Sequence, residues 1–478
     1  MGDILFQNTL GGRKEPFSPL HEGEVRIYTC GPTVYDFAHI GNFRTFVFQD
    51  VLRRFLRSRG FRLHQVMNLT DVDDRIILNA QAAGIGIREY TDRYIQAFLQ
   101  DMRLLRLEMP ETLARATDHI DDMVAIVRTL LDRGYAYESE GSIYYRIAKF
   151  PAYGRLSKVN FSGIQAGARV DVDRYEKDDA RDFALWKAHK PGEHFWQTII
   201  GDGRPGWHIE CSAMAMKYLG PTLDIHTGGV DLIFPHHENE IAQSEASTGQ
   251  PFVRYWLHAE HLFVNGEKMS KSMGNFYTLR DLFQRGYRPS AIRFLLASVP
   301  YRRQLNFTFD GLVQASSAVE RLRNFSDRLR NESLPERGAV SFADRIATAV
   351  AEFEAGLEDD VNTARALAAV FDLVREVNTA MDRGEFGRAD VPAAIALLDR
   401  FDAIFAVLEP DDAALLAELG YAESGQLSDA EIEECVAARQ QARRQRDFAA
   451  SDRIRQELAE RGIILEDLKD GTVRWKRK

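Results

Sequence analysis

Residues 24–71 read EVRIYTCGPTVYDFAHIGNFRTFVFQDVLRRFLRSRGFRLHQVMNLTD, and this stretch decides the fold. EVRIYTC is rich in β-favouring residues and stops at GPT, so a strand is predicted to end at Cys30. FRTFVFQDVLRRFLRSRG carries apolar residues at helical spacing and closes on Gly60, which predicts a helix with its stop. FRLHQVMNLTD is again strand-like and ends near Thr70. A strand, a crossover helix and a second strand make a parallel unit of a doubly wound sheet, whose ligands bind beyond the carboxyl ends of the strands. Cys30 and Thr70 occupy those two ends.

Outward from this core the text changes character. From about 115 to 200 a helical stretch (ATDHIDDMVAIVRTLLDRG), short strands (SIYYRIA) and a polar Gly- and Asp-rich run read as an insertion. LDIHTGG and HHENEIAQSEAST then resume the α/β pattern over 223–248, so the first domain is expected to be discontinuous. After LHAEHLFVNGEKMSKSMGN the chain is helical almost to its end, with connections expected at 331–341 and 423–428 and no internal repeat.

The 478 residues suggest about three domains. At 28% charged and 10% aromatic residues the composition is that of a globular protein with a sizeable core, not a disordered or collagen-like chain. Three cysteines are too few for a disulfide framework, which points to a reducing compartment. The N-terminus lacks the apolar run of a signal peptide, and no stretch approaches the ~20 apolar residues of a membrane span. A soluble, cytoplasmic protein is expected. The net charge of −10 argues against nucleic acid as a partner of the whole chain, but a sum over domains can hide a basic face.

Two short signatures carry chemistry. In GPTVYDFAHIGNFRT a His and a Gly stand between strand and helix, where an imidazole and the helix N-terminal N–H groups can face a phosphate, and Gly41 permits close approach. In KMSKS, residues 268–272, two lysines flank small hydroxyl residues in a loop suited to neutralising charge on a triphosphate. A third constellation suggests a metal. Cys30 ends a strand, Cys211 follows GWHIE, and His236 and Glu240 stand four residues apart, on one face of a predicted helix. Two thiolates, an imidazole and a carboxylate suit Zn²⁺. Spacing leaves His237 open as an alternative, since it lies three residues from Glu240.

The HIGN and KMSKS signatures, in this order and about 230 residues apart, resemble those of class I aminoacyl-tRNA synthetases. YTCGPTVYDFAHIGN, NLTDVDDRII, GWHIECSAM, DIHTGGVDLIFPHHENEIAQSEA and DFAASDRIRQELAERGIILED extend the resemblance over nearly the whole chain, to the cysteinyl-tRNA synthetase family. The sequence departs from the class pattern at Asn42, where His is usual; a side-chain amide can still donate to phosphate or ribose.

The resemblance implies an α/β fold: a Rossmann-type parallel-sheet catalytic domain with an inserted connective domain, then an all-α helical bundle and a small C-terminal anticodon-binding module. The expected spans are 1–115 with 200–250 for the catalytic domain, 116–199 for the insertion, 251–320 for the KMSKS-loop and stem-contact region, 321–422 for the bundle and 423–478 for the terminal module. It selects Cys30, Cys211, His236 and Glu240 as ligands of one zinc ion. It places Thr70, Trp207 and Asp231 around the amino acid, and His39, Gly41, Asn42 and Lys271 around ATP with its Mg²⁺. His39, Lys268 and Lys271 would stabilise the transition state. Cys435 remains a bystander.

The implied activity is formation of cysteinyl-adenylate from L-cysteine and ATP, then transfer to the terminal adenosine of tRNA(Cys) by a monomeric enzyme. Pocket shape alone discriminates cysteine from serine only about 10- to 200-fold. Zinc prefers a soft thiolate, so the metal can do the sorting and no editing domain is required. Residues 439–478 hold twelve basic and seven acidic residues, a tail of +5 on a body of −15, and Trp475 stands among basic residues where it would stack on an RNA base. A mycothiol-pathway ligase would share the zinc and both signatures, but such ligases lack the full C-terminal extension. A non-catalytic RNA-binding paralogue would be expected to lose His39, Gly41, Lys268 and Lys271, all of which are present.

Overall fold

The computed structural model describes residues 3–159, 182–411, 413–421, 429–445, 447–460, 463–467 and 473–477. A hairpin of β1 (Leu5–Asn8) and β2 (Arg13–Pro16) precedes β3 (Glu24–Thr29), α1 (Ile40–Ser58) and β4 (Arg62–Leu69). Helices α2 (Asp74–Ala83) and α3 (Ile87–Leu104) lead to β5 (Thr112–Arg115) and α4 (Ile120–Asp132). Strands β6 (Ala136–Ser139), β7 (Ser142–Tyr145), β8 (Phe183–Ala188) and β9 (Gly203–Pro205) form a separate antiparallel sheet in that order. α5 (Trp207–Leu219), β10 (Leu223–Gly229), α6 (Glu238–Thr248) and β11 (Val253–Ala259) return to the main sheet.

That main sheet has the order β11-β10-β3-β4-β5, with every pair parallel. From β3 the chain steps outward through β4 and β5, and on its return it fills the other side through β10 and β11. The winding reverses between β3 and β10, and a crevice opens beyond the carboxyl ends of the strands at such a reversal. The expected parallel-sheet architecture is therefore present, built on the predicted strand–helix–strand unit.

α1 shows why the sequence folds this way. Ile40, Phe43, Val47, Val51 and Phe55 recur at three- and four-residue steps and are buried. Each contributes about 1.5–3 kcal/mol by leaving water. The helix starts at His39, which is extended, and its Nδ1 accepts from Asn42 N at 3.2 Å while Asn42 Oδ1 accepts from His39 N at 3.1 Å. This reciprocal cap satisfies two N–H groups that would otherwise be unpaired. At Gly31 a Cβ would lie 1.9 Å from the Asn68 carbonyl oxygen, so only glycine lets the chain leave β3 this close to β4.

Beyond β11 lie β12 (Leu262–Val264), β13 (Glu267–Lys268), α7 (Leu279–Gln284), α8 (Pro289–Ser298) and β14 (Leu305–Phe307), with β13, β12 and β14 in one small sheet. Four helices follow: α9 (Phe309–Asn331), α10 (Ala343–Glu358), α11 (Thr363–Asp382) and α12 (Val391–Phe405). The corner between α10 and α11 is held to the N-terminal hairpin. The Asp360 carboxylate accepts from Gln7 N at 2.8 Å, the Tyr301 hydroxyl at 2.7 Å and Arg302 Nε at 2.8 Å. This compact unit closes at Asp411, whereas the sequence reading runs the bundle on to 422.

The second unit begins at Asp412 and contains α13 (Ala413–Glu418), α14 (Asp429–Arg444), α15 (Phe448–Glu460) and a hairpin of β15 (Ile463–Asp467) with β16 (Val473–Arg477). Ile432, Val436, Leu458, Ile463 and Leu465 form its own small core, and Cys435 packs against it. Trp475 also packs on that core and donates its indole N–H to Glu433 Oε1 at 2.7 Å. The ring is thus half-buried and engaged at its N–H edge within the unit. Arg439, counted in the basic tail, is 3% exposed and adds nothing to the surface charge. The break expected at 423–428 and part of the insertion's polar run, 160–181, lie outside the described residues. Among the described residues no helix is long and apolar enough to cross a membrane.

Candidate metal centre and nucleotide pocket

Cys30 follows β3 directly, its N–H donating to Thr227 O of β10 at 3.1 Å. Cys211 lies in the second turn of α5. His236 sits in a short irregular turn, Ile233–His237, just before α6 rather than in the predicted helix, and Glu240 lies in the first turn of α6. The four-residue relation survives this difference, because His237 and Glu238 already have helical dihedrals. One ligand atom from each of Cys30, Cys211, His236 and Glu240 lies within 4.8 Å of the other three, and all four residues are buried.

A second set, Cys30 with His226, His237 and Glu240, meets the same distance limit. The two sets share a thiol and a carboxylate and differ in surroundings. His237 is turned into a hydrogen-bonded row, with Nε2 3.3 Å from Cys30 Sγ, Nδ1 2.8 Å from His258 Nε2, and His258 Nδ1 2.8 Å from the Thr9 hydroxyl. His226 Nε2 lies 3.0 Å from Glu240 Oε2. In the first set His236 is backed by His208, their Nδ1 atoms 2.9 Å apart. Cys30, Cys211 and His236 also line the crevice, and His226 and His237 do not.

The donor chemistry asks for a cation. Glu240 Oε1 is buried and, although 3.0 Å from His236 Nε2, receives no hydrogen bond. Burial raises the Glu240 carboxyl, but His226 and His236 outweigh it and hold the group down to about 2. Hydrogen bonding from Cys30 is the largest influence on Cys211 and brings its thiol down to about 6. Burial works against charge on His236, yet Cys211 and Glu240 push it up to about 10. Two anions in a buried site are thus left to the imidazoles of His236 and His226, and buried charges of this kind are commonly paired or bound to metal.

The crevice is a pocket of about 380 Å³, within the usual range for small-molecule sites. Thr70, Trp207 and Asp231 line it beside the thiols. Thr70 is buried and its hydroxyl accepts from Asn68 Nδ2 at 3.0 Å. Trp207 is 36% exposed, its ring 4.4 Å from that of His236. His39, Gly41, Asn42, Lys268 and Met269 line the same pocket. A Cβ on Gly41 would come within 2.9 Å of the capping His39 ring and 3.0 Å of Met269 Cε, which explains the glycine. HIGN is tied by backbone to the segment that follows KMSKS, Ile40 N donating to Tyr277 O at 2.9 Å. Burial lowers His39 to about 4.

Of the residues expected around ATP and the amino acid, Lys271 alone is absent from the pocket wall, and its Nζ is 2.5 Å from Asp36 Oδ2. The sequence alone left His237 open as an alternative and gave no role to His208, His226 or His258. Each lies in or beside a segment already quoted for the motifs, and the clustering of histidine in those few segments was the available signal.

Residues 16–317 match the family described as tRNA synthetases class I (C) catalytic domain, 352–409 the DALR domain, and 428–475 the cysteinyl-tRNA ligase anticodon binding domain. The cysteine–tRNA ligase of Solibacter usitatus is 59% identical over 99% of this chain and 100% of its own length. That of Koribacter versatilis is 55% identical over 98% and 99% respectively. Mycobacterium tuberculosis methionyl-tRNA synthetase in complex with methionyl-adenylate superposes with a TM-score of 0.58 at 16% identity, covering 90% of this chain and 96% of that one, which is a likeness of fold. The chain belongs to the cysteine–tRNA ligase family of class I aminoacyl-tRNA synthetases.

Proposed function

We propose that the chain activates L-cysteine with ATP to cysteinyl-adenylate and transfers it to the 3′-terminal adenosine of tRNA(Cys), choosing its substrate by the thiol at a zinc site of Cys30, Cys211, His236 and Glu240. The observation that carries this reading is the convergence of those four ligand atoms on one point, three of the residues opening onto the pocket that also holds HIGN. Zinc held there supplies a soft Lewis acid that takes a thiolate far better than an alcohol. Mg²⁺ entering with ATP supplies counter-charge for the phosphates.

The chain's own groups do the rest. Asp231 would pair with the substrate ammonium, Thr70 lies beside it, and Trp207 closes the small side-chain pocket. The cysteine carboxylate then attacks the α-phosphorus and pyrophosphate leaves, a step that needs alignment and charge stabilisation more than covalent help. His39 is suited to this as a neutral donor. Its Nδ1 already accepts the Asn42 N–H, which leaves the proton on Nε2. Asn42 spends its side-chain oxygen in the cap and keeps its NH₂ for phosphate or ribose. Lys268 and Lys271 would neutralise the charge that develops on the phosphates. A monomeric, cytoplasmic enzyme is part of the same proposal.

X-ray absorption at the zinc edge tests the selection step. Two protein sulfurs are expected in the resting protein, and a third on adding cysteine but not serine. No added sulfur with cysteine would overturn the reading.

A further inference from the structure

Both lysines of the KMSKS loop are exposed, yet the loop has neighbours on the HIGN side of the pocket. Met269 touches the HIGN turn, and Lys271 leaves the pocket to meet a carboxylate on the pocket's own wall. That carboxylate belongs to Asp36, in the segment between β3 and α1, and its Oδ2 lies 2.5 Å from Lys271 Nζ. The lysine side chain is 62% exposed and that of Asp36 35%. The ammonium also rests over the Phe276 ring at 5.1 Å.

We infer that Asp36 is the resting partner of Lys271, a positioning residue that holds the loop lysine while the site is empty and competes with the nucleotide phosphates for it. This rests on the reading of the pocket as an ATP site. A triphosphate carries several negative charges into a wall that already bears a carboxylate, so Lys271 must exchange one anion for another as ATP binds. An ion pair this exposed is weak, typically about 0.2–1 kcal/mol, so the exchange costs little, yet it is a tax on ATP affinity. Asp36 therefore acts on the free protein; once ATP is bound its hold on Lys271 is already released.

Equilibrium binding of ATP by titration calorimetry, on the zinc-loaded full chain, needs no turnover and tests this in a double-mutant cycle. Asp36→Asn is expected to lower the Kd for ATP about two- to fivefold. In a Lys271→Ala background the same change should move Kd by less than about 1.5-fold. Asp36→Glu, which keeps the charge, should restore the original value. A gain of the same size in both backgrounds would mean that Asp36 acts by repelling phosphate directly, and an unchanged or raised Kd would mean that it does not compete; either overturns the inference. Cysteine-dependent exchange by the unaltered chain, run in parallel, reports on the function alone, so the two failures are separable.

Discussion

Asp101 on α3 is 1% exposed and faces Arg280 of α7, whose Nε is 3.4 Å from its Oδ1 without a hydrogen bond. Burial is the larger influence, and the attraction of Arg280 only partly offsets it, so the carboxyl is pushed up to about 7. The native protein therefore keeps a proton that the unfolded chain releases near the ordinary value of 3.8. Between these two pH values the native state binds more protons, and stability falls as pH rises until it levels off above about 7. The displacement corresponds to ~4 kcal/mol at most. Asp101→Asn should accordingly stabilise the protein at pH 8 by about 1–4 kcal/mol and have little effect near pH 4. Urea midpoints at the two pH values check this, and equal shifts at both would count against it. At this scale the sequence was informative where chemistry is local. Cys30, His39 and Thr70 could be placed because each sits at an element end that its neighbours define. The pairing of Lys271 with Asp36 was not visible, because it joins positions 235 residues apart through a tertiary contact.

Among the elements, β3, α1 and β4 were legible because strand propensity, helical spacing and Gly60 all point to the same succession. The start of α6 was less so: periodicity groups His236 with Glu240 but does not reveal the irregular turn that carries the histidines. The histidine shell was hidden for a different reason. His208 comes from α5, His226 from β10 and His258 from β11, and only the sheet order brings these elements together. The link from insertion to α6 was also unreadable. The Glu238 carboxylate is fully buried and accepts from Gly154 N at 2.8 Å, Leu156 N at 3.1 Å and Ser157 N at 2.8 Å, so a helix that carries a candidate metal ligand is pinned to the inserted segment. In sequence it is one acidic residue in a polar run.

For the whole molecule, the separate cores of the two compact units suggest separable roles. Unit one contains the pocket, the four candidate ligands and both signatures, whereas the match to an anticodon binding domain lies in unit two. A chain ending at Asp411 should keep adenylate formation within about threefold of the full chain while aminoacylation of tRNA(Cys) falls by more than about tenfold, as expected when a remote binding module is lost. Parallel assays of exchange and charging check this, and equal loss of both would contradict it. The net charge of −10, which seemed to disfavour nucleic acid, is compatible with tRNA held at particular places because the excess of basic residues lies in the terminal segment. The central claim is activation of cysteine chosen by its thiol, and ATP–pyrophosphate exchange by the zinc-loaded full chain tests it most directly. The account predicts exchange that depends on L-cysteine and prefers it to L-serine by more than the ~200-fold that pocket shape alone provides. Exchange without cysteine dependence, or serine accepted within that margin, would contradict it.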